Sequence, residues 1–367
     1  MIDAMPVALC CMLRWRPLRR AVAGRDVVAT PATLPFHRAM KVREGSGPSL
    51  GPGDGIPVVI VQPNRAERAR IDFYARVQGY EPCPAYLVDG VEVVLYAPAE
   101  PVTDRPPWSL EAWRAAHGDL ALAASGEIMD YMDEDPAAVR RRMPAIERRA
   151  QARLRALPGP TRRAAVEVTD RARPYGGFYS VEEYALRHPL ARGGTSGEIR
   201  RAVFHGFDAS IVLPWDPARR RVLLVEQFRI APFARGDADP WSLEPVAGLI
   251  DPGESAEDAA RREAEEEAGV TPSELIRVGA AYPSPGNSTE FHHHFVAVCD
   301  LSGAEGRQGG VADEGEDILA HVVPEDRLFA DAREGRLRAA PLALLSLWLA
   351  AAAPGIRARL AEAGAAS

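Results

Sequence analysis

Residues 248–270 read GLIDPGESAEDAARREAEEEAGV, and the rest of the chain is organised around them. Ser255 can cap the start of a helix, and Gly269 is a natural left-handed stop at its end. The alanines between these two residues favour helix strongly. The stretch therefore predicts a glycine-containing loop that leads into one helix.

Three acidic residues of this helix share one face. Glu263, Glu266 and Glu267 fall at positions i, i+3 and i+4, where neighbouring carboxylates repel each other. Such a cluster is either a solvated surface or a site for a divalent cation. The preceding segment 246–248 contains a glycine that lets the backbone approach closely, and oxygen ligands of this kind suit Mg²⁺ or Mn²⁺. The pattern favours a metal site.

The same stretch matches every fixed position of the Nudix box, Gly-x5-Glu-x7-Arg-Glu-U-x-Glu-Glu-x-Gly-U, where U is aliphatic. Ala264 and Val270 occupy the U positions. A full match at so many positions is a specific signal. The chain thus resembles the Nudix family, which hydrolyses nucleoside diphosphates linked to another group, and the resemblance implies that the site is catalytic.

Composition limits the possible partners. The chain has 367 residues, of which 47% are hydrophobic and 26% charged, with a net charge of -7. This acidic balance lacks the basic footprint of nucleic-acid binding, so we expect no nucleic-acid partner. The four cysteines show neither metal-ligand spacing nor a disulfide framework, which fits a reducing cytoplasm.

Two apolar runs could be mistaken for membrane segments. Residues 5–13 lack a basic region before them and predict a buried strand. Residues 339–353 are shorter than a membrane span and predict a core helix. The sequence therefore predicts no membrane partner.

A Pro-Gly-Pro segment divides the chain into two domains of mixed α/β (α+β) class. The predicted parts are a first domain at 1–157, a linker at 158–163, a second domain at 164–355 and a tail at 356–367. Strands that alternate with helices in the second domain imply an α/β/α sandwich with a mixed sheet.

The first half resembles the gamma-glutamylcyclotransferase-like fold. The resemblance lies in VALCCML followed by RPLRRAVAGR, and in RIDFYARVQGYEP. It implies a mixed β-barrel/α domain. Cys10, Cys11 and Met12 replace the family's Tyr-Gly-Thr loop, and Ala75 stands where the acid/base glutamate is expected. A side chain without an ionisable group cannot move a proton, so this domain is predicted to be inactive.

The second half resembles bacterial ADP-ribose pyrophosphatases through EIRRAVFHG, VEQFRIAPF, SPGNSTE and GGVADEGEDILAHVV, in that order. The resemblance implies Mg²⁺-dependent hydrolysis of ADP-ribose to AMP and ribose 5-phosphate, with Mn²⁺ as an alternative ion. Residues 165–168 and 199–204 are strand-like but lie outside the predicted sandwich, and such edges need covering. The resemblance therefore also implies a homodimer formed through residues 164–205, in which this region crosses to the partner and Phe178 and Arg201 complete the other subunit's pocket.

The resemblance assigns roles to particular acidic residues. Glu314 corresponds to the general base, and Glu266 lies behind the metal ligands or binds a second ion. The implied metal ligands are the carbonyl of Ala247 and the carboxylates of Glu263, Glu267 and Glu316.

The substrate side is implied by the same resemblance. Phe178 corresponds to an adenine-stacking aromatic, Arg201 to a contact shared by diphosphate and base, and Arg229 to the diphosphate-binding arginine. A planar guanidinium matches a diphosphate in bidentate fashion. The remaining implied substrate contacts are Leu249, Ser284 and Glu290. Phe291 departs from the basic residue that often follows this glutamate.

Three alternatives stay open. The chain could hydrolyse another nucleoside-diphosphate sugar such as a GDP-sugar, it could sense ADP-ribose without turnover, or its first domain could open gamma-glutamyl compounds. The two-domain arrangement resembles bacterial proteins associated with tellurite resistance, a phenotype that follows from no residue.

Overall fold

A computed structural model of the chain describes residues 5–41, 48–98, 106–157, 165–310 and 315–365. Its contacts divide the chain into two compact units, Met1–Gly159 and Pro160–Ser367. The predicted linker 158–163 lies outside the described residues.

The strands of the first unit are β1 (Val7–Leu9), β2 (Ala29–Leu34), β3 (His37–Met40), β4 (Ser49–Pro52), β5 (Ile56–Val61), β6 (Tyr80–Tyr86) and β7 (Glu92–Pro98). The main sheet has the order β2-β5-β1-β7-β6, and β3 pairs with β4 separately. Only β1 and β7 run parallel in the described part of this sheet. Gly90, at φ 80°, occupies the predicted β6–β7 turn, which confirms that hairpin.

The sheet of the first unit is open, whereas the resemblance implied a barrel. Within the described ranges, β2 and β6 are its edges and do not pair with each other. Pro82 and Pro84 lie in β6, and Pro31 lies in β2. Proline has no N–H to donate to a further strand, so these prolines suit edge positions and explain why the sheet does not close.

The first strand is shorter than predicted. The sequence predicts a strand over residues 5–13, but β1 ends at Leu9 and a 3₁₀ turn follows at Cys11–Arg14. Cys11 has φ 59°, which is left-handed backbone and interrupts an extended chain.

The helices of the first unit are α1 (Arg16–Ala23), α2 (Arg65–Val77), α3 (Leu110–Met129), α4 (Pro136–Arg141) and α5 (Met143–Leu154). Asn64 and Glu67 form a capping box at the start of α2, as the sequence predicts for Asn64. The inward face of α2 includes Ile71, Tyr74 and Ala75, which are buried in the core of the unit. Their spacing of three and four residues places them on one helical face.

The strands of the second unit are β8 (Glu167–Gly176), β9 (Ser180–Arg187), β10 (Ile199–His205), β11 (Asp208–Asp216), β12 (Arg221–Phe228), β13 (Trp241–Glu244), β14 (Val246–Leu249), β15 (Glu274–Ala281), β16 (Phe291–Val298), β17 (Gln308–Gly309) and β18 (Ile318–Pro324). The helices are α6 (Ile230–Arg235), α7 (Ala256–Ala268), α8 (Glu325–Arg333) and α9 (Ala340–Ala365).

These strands form two sheets. The first is antiparallel, in the order β10-β9-β8. The second has the order β15-β16-β11-β12-β18-β17, with β13 paired to β12 and β14 paired to β11. Strands β11 and β16 run parallel while the other pairs are antiparallel, so the larger sheet is mixed as predicted.

Helices cover both faces of the larger sheet. On one face, Ala260, Ala264 and Ala268 of α7 pack on a buried cluster that includes Val212 and Phe295. On the other face, α8 and α9 pack against Trp215 and its neighbours. The prediction of an α/β/α sandwich is confirmed.

Helix α9 is longer than the apolar run that predicts it. It continues through the predicted tail to Ala365 and contains Pro354. By length and composition alone, Ala340–Ala363 is long and apolar enough to cross a membrane, with a mean hydropathy of 1.4. In its most apolar 18-residue segment, 28% of the residues are buried. Helices in the core of a protein can have the same length and composition. Leu342, Leu345 and Leu349 of this helix lie within the buried cluster that covers the sheet.

Candidate active site

Helix α7 holds the acidic cluster in the predicted position. The Ser255 hydroxyl accepts a hydrogen bond from the Asp258 N–H (3.0 Å), and Gly269 ends the helix at φ 61°. Both predicted ends are confirmed. Glu267 is buried, at 2% exposure, while Glu266 lies on the solvent side of the same face.

Strand β14 passes directly over this carboxylate face. The Ala247 N–H donates to Glu267 Oε2 at 3.0 Å. A Cβ added to Gly248 would lie 1.8 Å from Glu263 Oε1, so no side chain fits at that position. The first glycine of the box is therefore required because the backbone and Glu263 occupy adjoining space.

Arg262 holds the loop and the helix together. Its guanidinium donates to both oxygens of Glu254 (2.9 and 3.0 Å), to Glu266 Oε2 (3.0 Å) and to the carbonyl of Leu249 (3.0 Å). It also contacts Glu263. Hydrogen bonds and these negative charges raise the Arg262 pKa above its usual value. Arg262 thus orients the acidic face and offsets part of its repulsion.

Two carboxylates of the acidic cluster have raised pKa values. Burial raises the pKa of Glu263 to about 7, although Arg262 opposes the rise. Burial also raises the pKa of Glu267 to about 8, against the hydrogen bond from Ala247. The charge of Glu316 adds to both increases. Buried anions this close together favour a proton or a cation.

The residues present fit a divalent cation. In the ranges that the structure describes, no three His, Cys, Asp or Glu side chains form a ready-made metal group. Glu263 and Glu267 nevertheless interact with each other and with Glu316, beside the backbone of Ala247. These are hard oxygen donors, and a site that takes further oxygens from a substrate phosphate is typical of Mg²⁺.

Two glycines bring Glu316 to the helix. A Cβ on Gly309 would lie 1.9 Å from the carbonyl oxygen of Glu267, and one on Gly310 would lie 2.8 Å from the Glu316 Cβ. The Gly310 N–H also donates to the carbonyl of Glu266 (3.2 Å). These two glycines were not predicted to take part in the site, although a glycine doublet before an acidic segment is a visible signal in the sequence. Glu314, the predicted base, lies outside the described residues.

Arg229 reaches the same site from the end of β12. Its Nε and Nη2 groups donate to the two oxygens of Glu244, with distances of 2.8 to 3.2 Å. Burial alone would lower the Arg229 pKa, but Glu244 raises it, and Glu267 and Tyr179 act in the same direction. Glu244 fixes the guanidinium near Glu267. This role of Glu244 was not predicted, because it depends on the pairing of β12 with β13.

Glu290 lies against a glycine at the end of β10. A Cβ on Gly206 would lie 2.2 Å from the Glu290 Cγ, so this glycine makes room for the glutamate. Burial raises the Glu290 pKa, and Ser288 opposes that rise. Ser284, at the start of the same loop, donates its hydroxyl proton to Asn287 Oδ1 (2.6 Å) and so stabilises the turn.

The other predicted substrate contacts are more dispersed. Phe178 is half exposed and packs edge-on against Tyr179 and Phe207, with ring centroids 4.9 and 5.0 Å apart. Leu249 lies on β14 beside the acidic face. Arg201 is exposed on β10, where it donates to the carbonyl of Arg200 (2.8 Å). Within the described chain, these contacts do not join Arg201 to Arg229 or Glu290.

The assembled groups suit chemistry on a bound diphosphate. Three carboxylates and a backbone segment offer oxygens to a cation, and one fixed guanidinium lies beside them. Preorganised positive groups of this kind stabilise charge that develops on phosphate oxygens. Glu290 and the aromatic pair Phe178 and Tyr179 lie on neighbouring segments, because Gly206 at the end of β10 adjoins Glu290 and the Tyr179 ring packs on Phe204.

Comparisons with known proteins agree with this geometry. The family model described as "NUDIX domain" matches residues 205–343. The ADP-ribose pyrophosphatase of Escherichia coli (strain K12) is 41% identical over 184 residues, which cover 50% of this chain and 87% of that protein. The ADP-ribose pyrophosphatase of Haemophilus influenzae is 36% identical over 174 residues, which cover 47% and 80%.

One further relative and one solved structure are also similar to this chain. The GDP-mannose pyrophosphatase of Salmonella arizonae is 34% identical over 158 residues, 43% of this chain and 81% of that protein. A solved structure titled "Crystal structure of ADP compounds hydrolase" aligns with 20% identity and a TM-score of 0.38, covering 51% of this chain and 95% of that one. The extensive sequence relationships, together with a complete box whose carboxylates meet in space, show that the chain belongs to the Nudix hydrolase family.

Proposed function

We propose that this protein hydrolyses the diphosphate of ADP-ribose to AMP and ribose 5-phosphate in a Mg²⁺-dependent reaction. The observation that carries the proposal is the pair formed by the buried Glu267 and the partly buried Glu263 under the Ala247–Gly248 backbone, with Arg229 near Glu267. The relatives named ADP-ribose pyrophosphatase, covered over 80% to 87% of their length, support the choice of substrate.

The residues of the chain divide the work between binding and proton transfer. Glu263, Glu267, Glu316 and the Ala247 carbonyl hold the ion, and Glu266 supports them from the helix. When bound, Mg²⁺ offsets charge on the phosphate oxygens and acidifies water. Mn²⁺ has similar ligand preferences and is expected to substitute for it.

Arg229 binds the diphosphate, and Glu244 keeps its planar guanidinium in one orientation. Because its Nε and Nη2 groups donate to Glu244, the Arg229 guanidinium keeps one orientation toward the diphosphate. Glu314 accepts the proton of the attacking water in this proposal. Glu290 binds the hydroxyls of the terminal ribose, and Phe178 stacks on the adenine with Arg201, Leu249 and Ser284 around the nucleotide.

The second candidate is hydrolysis of a GDP-sugar. A relative named GDP-mannose pyrophosphatase, covered over 81% of its length, favours it. A protein that binds ADP-ribose without hydrolysing it is disfavoured, because such a protein does not need the acidic metal-site residues. All four are present: Glu263, Glu266, Glu267 and Glu316. The two hydrolases share the metal site and differ in base recognition.

A panel of nucleotide sugars separates these candidates. The full chain is incubated with Mg²⁺ and ADP-ribose, ADP-glucose, GDP-mannose or UDP-glucose, and kcat/KM is measured for each. We expect the highest value for ADP-ribose. A higher kcat/KM for GDP-mannose would replace the first candidate with the second.

We further propose a homodimer that forms through residues 164–205. Exposed apolar side chains on β8 and in the following turn, among them Val168, Tyr175 and Phe178, support an interface there. A cytoplasmic location is also proposed, because Cys10, Cys11, Cys83 and Cys299 are free thiols.

We propose that the first unit is related to gamma-glutamylcyclotransferases and lacks their activity. Ala75 lines a cavity of only about 30 Å³ together with Cys10 and Cys11, room for about one water molecule. Asp72 is engaged by Tyr96 and by Arg68, and Glu81 is paired with Arg76 (3.6 Å). These acids are thus poor substitutes for the missing glutamate. Release of 5-oxoproline from gamma-glutamyl dipeptides or glutathione by the full chain would contradict this proposal.

A further inference from the structure

The first unit contains a cavity of about 320 Å³, a volume typical of sites for small molecules. It is distinct from the smaller cavity beside Ala75, because the described lining residues of the two cavities have only Cys11 in common. Its charged and aromatic lining residues are Arg14, Arg38, Asp54 and Trp108. None of these four was predicted to take part in a site.

Backbone hydrogen bonds hold the segments around this cavity together. The Trp108 N–H donates to the carbonyl of Ala39 (3.0 Å), which attaches the segment before α3 to β3. The Gly55 N–H donates to the carbonyl of His37 (3.0 Å), which attaches the segment before β5 to the start of the same strand. The 3₁₀ turn Cys11–Arg14 lies against them from the end of β1. The cavity is therefore built on ordered backbone.

The indole of Trp108 brings an unused hydrogen-bond donor to this cavity. Its Nε1 atom is buried and has no acceptor among the residues that the structure describes. The ring also packs against the buried Trp113, with centroids 6.3 Å apart, which limits its movement. A buried N–H without a partner is unfavourable, so a ligand with acceptor atoms is a suitable occupant.

Two guanidinium groups give the cavity a positive charge. Across the described ranges, the side chains of Arg14 and Arg38 form no ion pair and no hydrogen bond. Burial raises the pKa of the Cys11 thiol, and the charge of Arg14 opposes this rise, which agrees with a guanidinium on the Cys11 side of the cavity. Asp54 is the one acidic residue in the described lining, so a net positive charge remains.

The number of donors favours a phosphate over a carboxylate. Each guanidinium carries five N–H groups, and the indole adds one more. A phosphate monoester has three strong acceptor oxygens and a charge close to -2, which matches two guanidinium groups. Asp54 offers an acceptor to a hydroxyl on the part of the molecule that carries the phosphate.

We propose that this cavity binds a small phosphate monoester. Arg14, Arg38 and the indole N–H of Trp108 hold the phosphate, and Asp54 accepts a hydrogen bond from a hydroxyl of the esterified alcohol. The site belongs to the first unit and goes beyond the hydrolysis proposed for the second. It gives the first unit a ligand-binding role that needs no acid/base glutamate.

Isothermal titration calorimetry of the full chain tests this site. Excess chelator is present, so that no divalent cation holds phosphate in the second unit. The probes are glycerol 3-phosphate, inorganic phosphate and succinate. We expect glycerol 3-phosphate to bind more tightly than inorganic phosphate, because it adds a hydroxyl for Asp54, and succinate to bind most weakly.

Arg14→Gln and Arg38→Gln should each raise the Kd for glycerol 3-phosphate about tenfold or more, because each removes charge-assisted hydrogen bonds. Trp108→Phe keeps an aromatic ring, removes the N–H and should raise this Kd several-fold. Arg65→Gln is the matched control, since Arg65 is an exposed arginine on α2 of the same unit, and it should bind like the wild type. Thermal melts without ligand check that each variant is folded.

Wild-type affinity in both Arg14→Gln and Arg38→Gln would overturn the inference. Absence of binding by the wild type at millimolar glycerol 3-phosphate would overturn it as well. Tighter binding of succinate would show that the cavity is not a phosphate site. Binding that is lost in Arg229→Gln but kept in Arg14→Gln would place the phosphate in the second unit and contradict the assignment.

Discussion

At the residue scale, the site depends on how closely carboxylates and backbone approach each other. Glu267 is buried beneath β14 and is held by one N–H, from Ala247. Glu263 touches the space where a side chain of residue 248 would stand. Small changes at either residue are therefore expected to weaken cation binding more than they lower the stability of the fold.

Glu267→Gln keeps the shape of the side chain and removes a hard anionic ligand. Turnover of ADP-ribose should fall by orders of magnitude. The fold should remain intact without metal, because burial raises the pKa of Glu267 to about 8 and the amide resembles the protonated acid. Steady-state kinetics with thermal melts, with and without Mg²⁺, check both expectations.

Glu265→Gln is the control for this experiment, since Glu265 is exposed on the same helix. It should retain normal turnover and the normal Mg²⁺-induced rise in melting temperature. Near-wild-type turnover by Glu267→Gln would mean that the metal site is assigned to the wrong residues.

Gly248→Ala tests the close approach itself. The new Cβ would overlap Glu263 Oε1, so the carboxylate must move or β14 must shift. A displacement of about 1 Å in a catalytic group can cost about 100-fold in rate, and we expect a loss in kcat/KM of that order. Gly279→Ala is the comparison, because the space around Gly279 is open and activity should persist. Equal activity in both variants would refute the steric argument.

At the element scale, the small β10-β9-β8 sheet is held by a buried polar group. Glu182 of β9 is 3% exposed and bonds to Arg173 (2.5 Å) and Tyr184, with His205 Nε2 at 3.3 Å. Burial alone would raise its pKa, but the hydrogen bonds from His205, Tyr184 and Arg173 outweigh burial and lower it. This sheet carries Phe178 and Tyr179, so its stability bears on the substrate site.

Glu182→Gln should lower the free energy of unfolding by about 3 kcal/mol at neutral pH, because it removes the charge that pairs with the buried guanidinium of Arg173. The lowered pKa means that the ionised carboxylate stabilises the fold above the unfolded pKa of about 4.5, and that this contribution is lost progressively as the pH falls from there toward the lower folded pKa. The difference between variant and wild type should therefore shrink in strong acid. Denaturant unfolding at pH 7 and at about pH 3 measures it.

Glu183→Gln, at an exposed position on the same strand, should change stability little at either pH. A constant difference between Glu182→Gln and wild type at both pH values would contradict the assigned ion pairs.

The sequence predicts features that depend on neighbouring residues, such as helix ends. It does not predict contacts that depend on how strands pair. The ends of α7 follow from Ser255 and Gly269, whose capping roles need only their immediate neighbours. The Arg229–Glu244 pair depends on the β12–β13 register, which no local pattern specifies. The open sheet of the first unit was not predicted either. Whether the sheet closes depends on which strands lie at its edges, and the prolines of β2 and β6 prevent pairing only because these two strands are the edges.

At the scale of the whole molecule, the proposed dimer predicts a mass. Sedimentation at working concentration should give about twice the 39.7 kDa of one chain. Val168→Asp, on the exposed face of β8, should shift the population toward monomer because it places a charge in an apolar interface. A fully active wild-type monomer at the same concentration would show that the dimer is unnecessary.

The most direct measurement of the central claim is product analysis of ADP-ribose incubated with the full chain. The account predicts AMP and ribose 5-phosphate in equal amounts, formed with Mg²⁺ or Mn²⁺ and abolished by a chelator. Intact ADP-ribose after prolonged incubation with either ion, or cleavage that continues at full rate in excess chelator, would contradict it.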